Sequence, residues 1–352
     1  MNKTYDNYMK KCFRLAKKGE GKTSPNPMVG CIVLDKFGKE LSTGYHSAYG
    51  KPHAERDALS KITKEQAQGG TLIVNLEPCS HHGKTPPCVD IIIEKGIKTV
   101  VYAVDDPNPI ASKGADILKK AGIKVIKGIL EEEAINLNEV FFKNVSQNLP
   151  FIALKTATTI DGKIATKTND SKWITSEKSR NYGKKLRKKY DAILTSSSTI
   201  LSDNPQMIAS TKIIIDRELK TINKNFDIYN QGKIFVITDE NNNLPKVNKN
   251  IEFIKLPTKN NLLDLNNLFP KLFNLGIKSI FVESGSKLSG YFIKNDFVDK
   301  IYQFIAPKVL NDNSGKSCFN GDDILKINLS KNYKINSAKV LSPDLFITYS
   351  KV

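Results

Sequence analysis

His53-Ala54-Glu55 and, further along, Glu77-Pro78-Cys79-Ser80-His81-His82-Gly83-Lys84-Thr85-Pro86-Pro87-Cys88 decide how this chain reads. One imidazole and two thiolates form a ligand set for zinc that leaves a fourth position open to water. A Glu two residues beyond the His is then placed to move that water's proton. Zinc lowers the pKa of a bound water from 15.7 to about 7, so a usable hydroxide exists at neutral pH. Hydrolytic removal of an amine from a base ring uses these residue types in this order. A purely structural zinc site would want a fourth ligand and would leave Glu55 without a task. The predicted metal ligands are therefore His53, Cys79 and Cys88, with Glu55 as the catalytic proton shuttle.

Outward from these residues the pattern alternates. Stretches 28–34 and 40–46 read as strands about the turn Asp35-Lys36-Phe37-Gly38, 53–62 as a helix, 71–76 as a strand, and 85–95 as containing a helix. Stretches 99–104, 112–121, 124–127 and 131–147 continue strand, helix, strand, helix. The N-terminus reads as an amphipathic helix with Tyr5, Tyr8, Cys12, Leu15 and Ala16 on one face. This predicts an α/β sheet layered by helices, with His53 and Glu55 opening a helix and Cys79 directly after a strand. A boundary falls at Gln147-Asn148-Leu149-Pro150, separating domains 1–147 and 150–352. The second series has strands at 151–156, 190–195, 212–216, 233–238 and 279–283, with a helix at 262–275. The last strand runs into the turn Gly285-Ser286-Lys287-Leu288-Ser289-Gly290. Residues 239–261 read as loop around one short strand, and no internal repeat is visible.

Composition narrows the class. A chain of 352 residues, 39% apolar and 26% charged, is an ordinary globular protein of about two domains. No apolar run approaches the ~20 residues that span a bilayer, and the N-terminus lacks the pattern of a secretory signal, so cytoplasm is the default location. Five cysteines, an odd number, argue against a disulfide framework; Cys12, Cys31 and Cys318 are expected as buried small apolar residues. The net charge of +18 is uneven, with 22 Lys/Arg against 17 Asp/Glu in residues 1–150 and 32 against 19 in 151–352. The excess lies in Lys/Asn-rich stretches with few aromatics for base stacking, which favours a solvated surface over a nucleic-acid partner. The same field suits a small phosphorylated molecule.

The cysteine spacing separates this site from most zinc deaminases, which carry Pro-Cys-x-x-Cys. Here eight residues intervene, and the loop carries His81, His82 and Lys84. That string, with Asn26-Pro27, Gly30, His53-Ala54-Glu55 and Asp106-Pro107-Asn108-Pro109, resembles the deaminase half of the RibD family of bifunctional riboflavin biosynthesis enzymes. Leu154-Lys155, Thr159-Ile160-Asp161-Gly162-Lys163-Ile164-Ala165, Ser171-Lys172-Trp173-Ile174-Thr175-Ser176 and Val282-Glu283-Ser284-Gly285 resemble its reductase half, the match thinning after Ile305. The resemblance implies a cytidine-deaminase-like α/β/α layered domain followed by a dihydrofolate-reductase-like α/β domain. It implies zinc-dependent deamination of a diaminopyrimidine bearing ribose 5-phosphate, then NADPH-dependent reduction of the ribosyl chain. It also implies an oligomer, dimer or tetramer. It places Asn26, His46 and Lys84 at the deaminase substrate. Ala157, Trp173, Thr199, Asp203 and the turn Gly285-Ser286-Lys287-Leu288-Ser289-Gly290-Tyr291 fall at NADPH, and Ser171, Arg187, Gln206, Ser210 and Glu283 at the reductase substrate. One departure stands out: Ser210 replaces an Arg that contacts the substrate phosphate in the family. Either Lys212 or Arg217 substitutes for it, or the chain is a deaminase with a weakened reductase. A nucleic-acid base-modifying protein is the less favoured alternative.

Overall fold

The apolar runs read above as strands assemble into two separate sheets in a computed structural model, which describes residues 3–83, 85–222 and 224–352. The chain divides into units Met1–Asn148 and Leu149–Val352.

In the first unit the strand order is β2-β1-β3-β4-β5, where β1 is Gly30–Leu34, β2 Glu40–Tyr45, β3 Thr71–Val74, β4 Thr99–Tyr102 and β5 Lys124–Ile126. Strand β1 is antiparallel to both β2 and β3, and β3, β4 and β5 run parallel. The hairpin closes because Asp35 Oδ1 accepts from the N–H groups of Phe37 and Lys39, both at 2.8 Å, and Gly38 takes φ +86°. The helices are α1 (Lys3–Ala16), α2 (Ala54–Leu59), α3 (Lys64–Ala67), α4 (Cys88–Glu94), α5 (Gly114–Lys120), α6 (Glu131–Leu137) and α7 (Glu139–Gln147). Met9, Ile32, Leu59, Leu72, Ile73, Ile92, Tyr102 and Leu118 are fully buried between these layers. Helix α2 lies so close on β2 that a Cβ at Gly44 would come within 2.3 Å of the Ala54 carbonyl. This approach fixes the helix that follows His53.

In the second unit nine strands take the order β11-β10-β9-β8-β14-β6-β15-β18-β17. They are β6 (Phe151–Thr158), β8 (Ala192–Ser196), β9 (Thr211–Ile215), β10 (Lys233–Asp239), β11 (Ile251–Leu256), β14 (Ser279–Glu283), β15 (Lys300–Ile305), β17 (Tyr333–Leu341) and β18 (Asp344–Lys351). Two small ribbons pair β7 (Lys163–Ala165) with β16 (Lys316–Ser317) and β12 (Thr258–Lys259) with β13 (Leu262–Leu263). Seven strands of the large sheet are parallel, and the terminal hairpin β17–β18 adds antiparallel to β15. Helices α8 (Glu177–Arg187), α9 (Ser197–Asp203), α10 (Leu268–Asn274) and α11 (Ser286–Lys294) cover it.

Several expectations are corrected. The helix read over 131–147 is two helices. Asn138 leaves helical geometry (φ −111°) because its side chain is spent on Met28, accepting from the N–H at 2.8 Å and donating to the carbonyl at 3.0 Å. The helix read over 262–275 begins only at Leu268, since Pro270 has no N–H and is tolerated only in a first turn. Cys12 and Cys31 are buried as expected, but Cys318 is only half-buried. The hairpin β17–β18 adds two strands beyond those expected.

Candidate functional site

Strand β3 ends at Val74, and the chain then runs through Glu77 to Cys79; β2 leads through His46 to His53 at the N-cap of α2. Cys88 opens α4. These three elements bring His53, Cys79 and Cys88 together, their ligand atoms lying within 4.8 Å of one another. His53 Nδ1 is 3.5 Å from each sulfur. A tetrahedral zinc with ordinary Zn–N and Zn–S distances sets an N···S edge of about 3.6 Å, so the triad already has the dimensions of a zinc site. The Cys88 thiol, donating to Cys79, pulls the Cys79 pKa down to about 4, with His53 helping. The same interaction and burial push Cys88 up. A bound cation would favour the thiolate form of both.

Glu55 is 3% exposed, and burial followed by the Cys79 thiolate raises its pKa to about 7. It lines a cavity of 350 Å³ together with His53 and Cys79. His46 is buried, with Nδ1 3.1 Å from the Pro52 carbonyl and Nε2 3.3 Å from Asn26 Nδ2. A neutral ring donating at Nδ1 and accepting at Nε2 satisfies both contacts, and burial lowers its pKa in agreement. Asn26 and His46 thus form one unit in the cavity wall. His81 lines the cavity as well, but the described metal cluster does not include it. Lys84 lies outside the described residues.

Sequence reasoning gave no role to Asp106 and Asn108 at the end of β4, to Tyr49 and Lys51, or to Phe141 on α7; all line the cavity. Burial raises Asp106 to about 6, and its Oδ1 accepts from the Asn108 N–H at 2.9 Å. The Asp106-Pro107-Asn108-Pro109 string was the available signal. Glu77 serves as a brace, its two oxygens accepting from the N–H groups of Ala115 (2.9 Å) and Asp106 (3.1 Å).

In the second unit, polar residues gather at the C-terminal ends of the parallel strands. Glu283 on β14 is in register with Lys155 on β6, which is in register with Tyr302 on β15. Paired residues in a sheet share a face. Arg187, from the last turn of α8, pairs with Glu283 at 2.5 Å, so the two residues expected at the reductase substrate do meet. Arg187 Nε, Glu283 Oε1, Thr195 Oγ1 and Thr158 Oγ1 are buried without hydrogen-bond partners. Thr158 and Thr195 are additions that their place in hydrophobic strand runs concealed, and sequence reasoning gave Lys155, part of the Leu154-Lys155 string, no role.

Gly285 is the N-cap of α11, with open space where a Cβ would stand, while at Gly290 a Cβ would sit 1.9 Å from the Asn320 carbonyl. Ser286 and Lys287 open the helix. Leu288 packs toward the core, Ser289 bonds Ser284, and the Tyr291 hydroxyl donates to the Leu263 carbonyl at 3.3 Å. Trp173 is 61% exposed, its ring 4.4 Å from the Arg180 guanidinium. Thr199 and Asp203 lie on α9, Ala157 lies on β6, and Ser171 precedes Trp173. Gln206 and Ser210 are exposed in the α9–β9 connection. Neither proposed substitute for the missing Arg is uncommitted. The Lys212 ammonium is buried against the Ile228 carbonyl at 2.6 Å, and Arg217 is engaged by Glu218 and Asn261.

Two family profiles match this chain: the cytidine and deoxycytidylate deaminase zinc-binding region over residues 2–104, and the RibD C-terminal domain over 150–347. Riboflavin biosynthesis protein RibD of Aquifex aeolicus is 41% identical, the match covering 98% of each chain, and that of Actinobacillus pleuropneumoniae is 36% identical over 97% and 94%. The solved structure of a diaminohydroxyphosphoribosylaminopyrimidine deaminase/5-amino-6-(5-phosphoribosylamino)uracil reductase from Thermotoga maritima superposes with a TM-score of 0.87. It is 35% identical, with 100% of this chain and 99% of that one covered. Acinetobacter baumannii RibD superposes at 0.86 with 30% identity and full coverage of both chains. Triad, profiles and neighbours together define a two-part enzyme, a zinc-dependent deaminase joined to a reductase. The chain belongs to the RibD family of riboflavin biosynthesis proteins. Its cofactors are zinc, which the 3.5 Å triad fits, and NADPH, which the open turn before α11 suits because a helix N-terminus offers free N–H groups to a pyrophosphate.

Proposed function

We propose that domain 1–147 removes the amine from 2,5-diamino-6-(5-phosphoribosylamino)pyrimidin-4-one by hydrolysis. Domain 150–352 then reduces the ribosyl chain with NADPH, giving 5-amino-6-(5-phosphoribitylamino)uracil. The observation that carries the first step is Glu55, buried in a substrate-sized cavity beside His53, Cys79 and Cys88 with a pKa of about 7. Zinc held by that triad supplies a water acidic enough to act as nucleophile at neutral pH. Glu55 would take one proton from that water and pass it to the ring nitrogen, then carry the second from the added hydroxyl to the departing amine, two transfers that a pKa near 7 suits in both directions. Neutral His46 fixes Asn26 against the pyrimidine, and Lys84 and Lys51 attract the phosphate.

In the second domain, Ala157, Trp173, Thr199, Asp203 and the turn from Gly285 to Tyr291 hold NADPH. Ser171, Arg187, Gln206, Ser210 and Glu283 meet the ribosyl phosphate substrate. When bound, the nicotinamide supplies hydride. A reductase weakened by the exposed Ser210 is the second reading, favoured by the commitment of Lys212 to Ile228. We place the enzyme in the cytoplasm with no nucleic-acid partner; no helix among the described residues is long and apolar enough to cross a membrane. A homo-oligomer is supported by Leu325 and Ile327, 92% and 86% exposed in the segment before β17.

Ammonia release and NADPH oxidation at 340 nm, followed together on zinc-loaded protein, test this reading. Both signals are expected. Ammonia alone would favour the weakened reductase, and neither signal with zinc bound would overturn the assignment.

A further inference from the structure

The eight residues between Cys79 and Cys88 leave the metal site with a ligand that must be brought back to it. Cys88 is the first residue of α4, and Pro87 at its N-cap offers no side-chain hydrogen bond to hold the helix start. The N–H groups of Cys88 and Val89 tie the helix start to the Cys79 carbonyl at 3.1 and 3.3 Å, and the side chain that ties it to α2 is Arg56, whose Nη2 donates to the Pro87 carbonyl at 3.3 Å. Arg56 lies on α2, directly after Glu55 and one turn past His53. Arg56 as a residue is half-buried, and its Nε is buried without a hydrogen-bond partner. Among the described residues no carboxylate pairs with this side chain, and its hydrogen bond there is the link to Pro87. A single side chain therefore spans the helix carrying His53 and Glu55 and the helix that begins with Cys88.

We propose that Arg56 is a positioning residue for the metal centre: its guanidinium pins the Pro87 carbonyl and so fixes the start of α4 with Cys88 turned toward His53 and Cys79. Groups that orient metal ligands are typically worth 10–100-fold in metal affinity. This inference rests on the assignment of His53, Cys79 and Cys88 as the zinc ligands.

The test is zinc affinity of the full-length protein, measured by competition with a chromophoric chelator. Arg56→Met keeps the aliphatic stem that packs on the helix but removes the donor. It is expected to weaken zinc binding roughly 10–100-fold and to shift the thiolate-to-metal and d–d bands of the Co²⁺-substituted protein, with metal-free thermal unfolding unchanged. Arg56→Lys, which can still donate to a carbonyl, is expected to recover most of the affinity. Should the Met variant fail to fold, Arg56→Leu, which also lacks a donor, takes its place with the same expectation. Zinc affinity within about twofold of wild type, with an unaltered Co²⁺ spectrum, would overturn the proposal. Cys88→Ser separates the two assignments: undiminished zinc binding there would remove the ligand set itself, whatever Arg56 does.

Discussion

Glu55→Gln keeps the side chain's shape and removes its proton chemistry. General acid–base groups contribute about 10²- to 10⁴-fold, so ammonia release should fall by that factor while zinc content is retained. The same residue leaves a mark on stability in metal-free protein. Its folded pKa of about 7 exceeds the ordinary 4.5, so the folded state binds the proton more tightly than the unfolded chain does. The stabilisation is complete below pH 4.5 and is lost as pH rises toward 7. Comparing wild type with Glu55→Gln cancels other titrations. The wild type should lose on the order of 3 kcal/mol relative to the variant across that window, read by denaturant unfolding at each pH. At the other site, Ser210→Arg restores a charge-assisted phosphate contact of about 1.5–3 kcal/mol. The reductase KM should drop roughly tenfold or more, with little change in kcat, in a steady-state NADPH assay.

At the scale of elements, close approach matters more than propensity. Gly44 admits the Ala54 carbonyl where a methyl group would stand, so Gly44→Ala must push α2 off β2. Overpacking of this kind costs about 1–3 kcal/mol, and because α2 carries His53 and Glu55, zinc retention after dialysis should fall along with Tm. The chemistry of the first unit was legible in the sequence because its ligands sit in short strings at strand and helix ends, where local order alone sets the spacing. The break at Asn138 was hidden because its cause is a tertiary partner, Met28, far away in sequence. Thr158 and Thr195 were hidden for a different reason: inside buried strands they look like β-forming residues, and only the register reveals that Thr195, like Lys155, shares a face with Glu283. The Arg187–Glu283 pair required the resemblance, since a basic run on a helix ordinarily means a solvated face.

For the molecule as a whole, two chemistries on one chain should be separable by single substitutions. Cys88→Ser is expected to abolish ammonia release while leaving NADPH oxidation intact when the deaminated intermediate is supplied directly. Loss of both signals would mean that the second activity depends on an intact first unit. The order of strands has a further consequence, in time rather than space. Every strand pair of the first unit lies within the first 148 residues. Strand β6 opens the second unit, yet its partners β14 and β15 are Ser279–Glu283 and Lys300–Ile305. Roughly 120 residues must be made before β6 can pair, which at 5–20 residues per second is about 6–24 s of synthesis. During that interval a finished deaminase unit on the ribosome trails a β6 whose hydrogen-bonding edges are open. A nascent chain of this kind should call on holding chaperones through its second half and not its first.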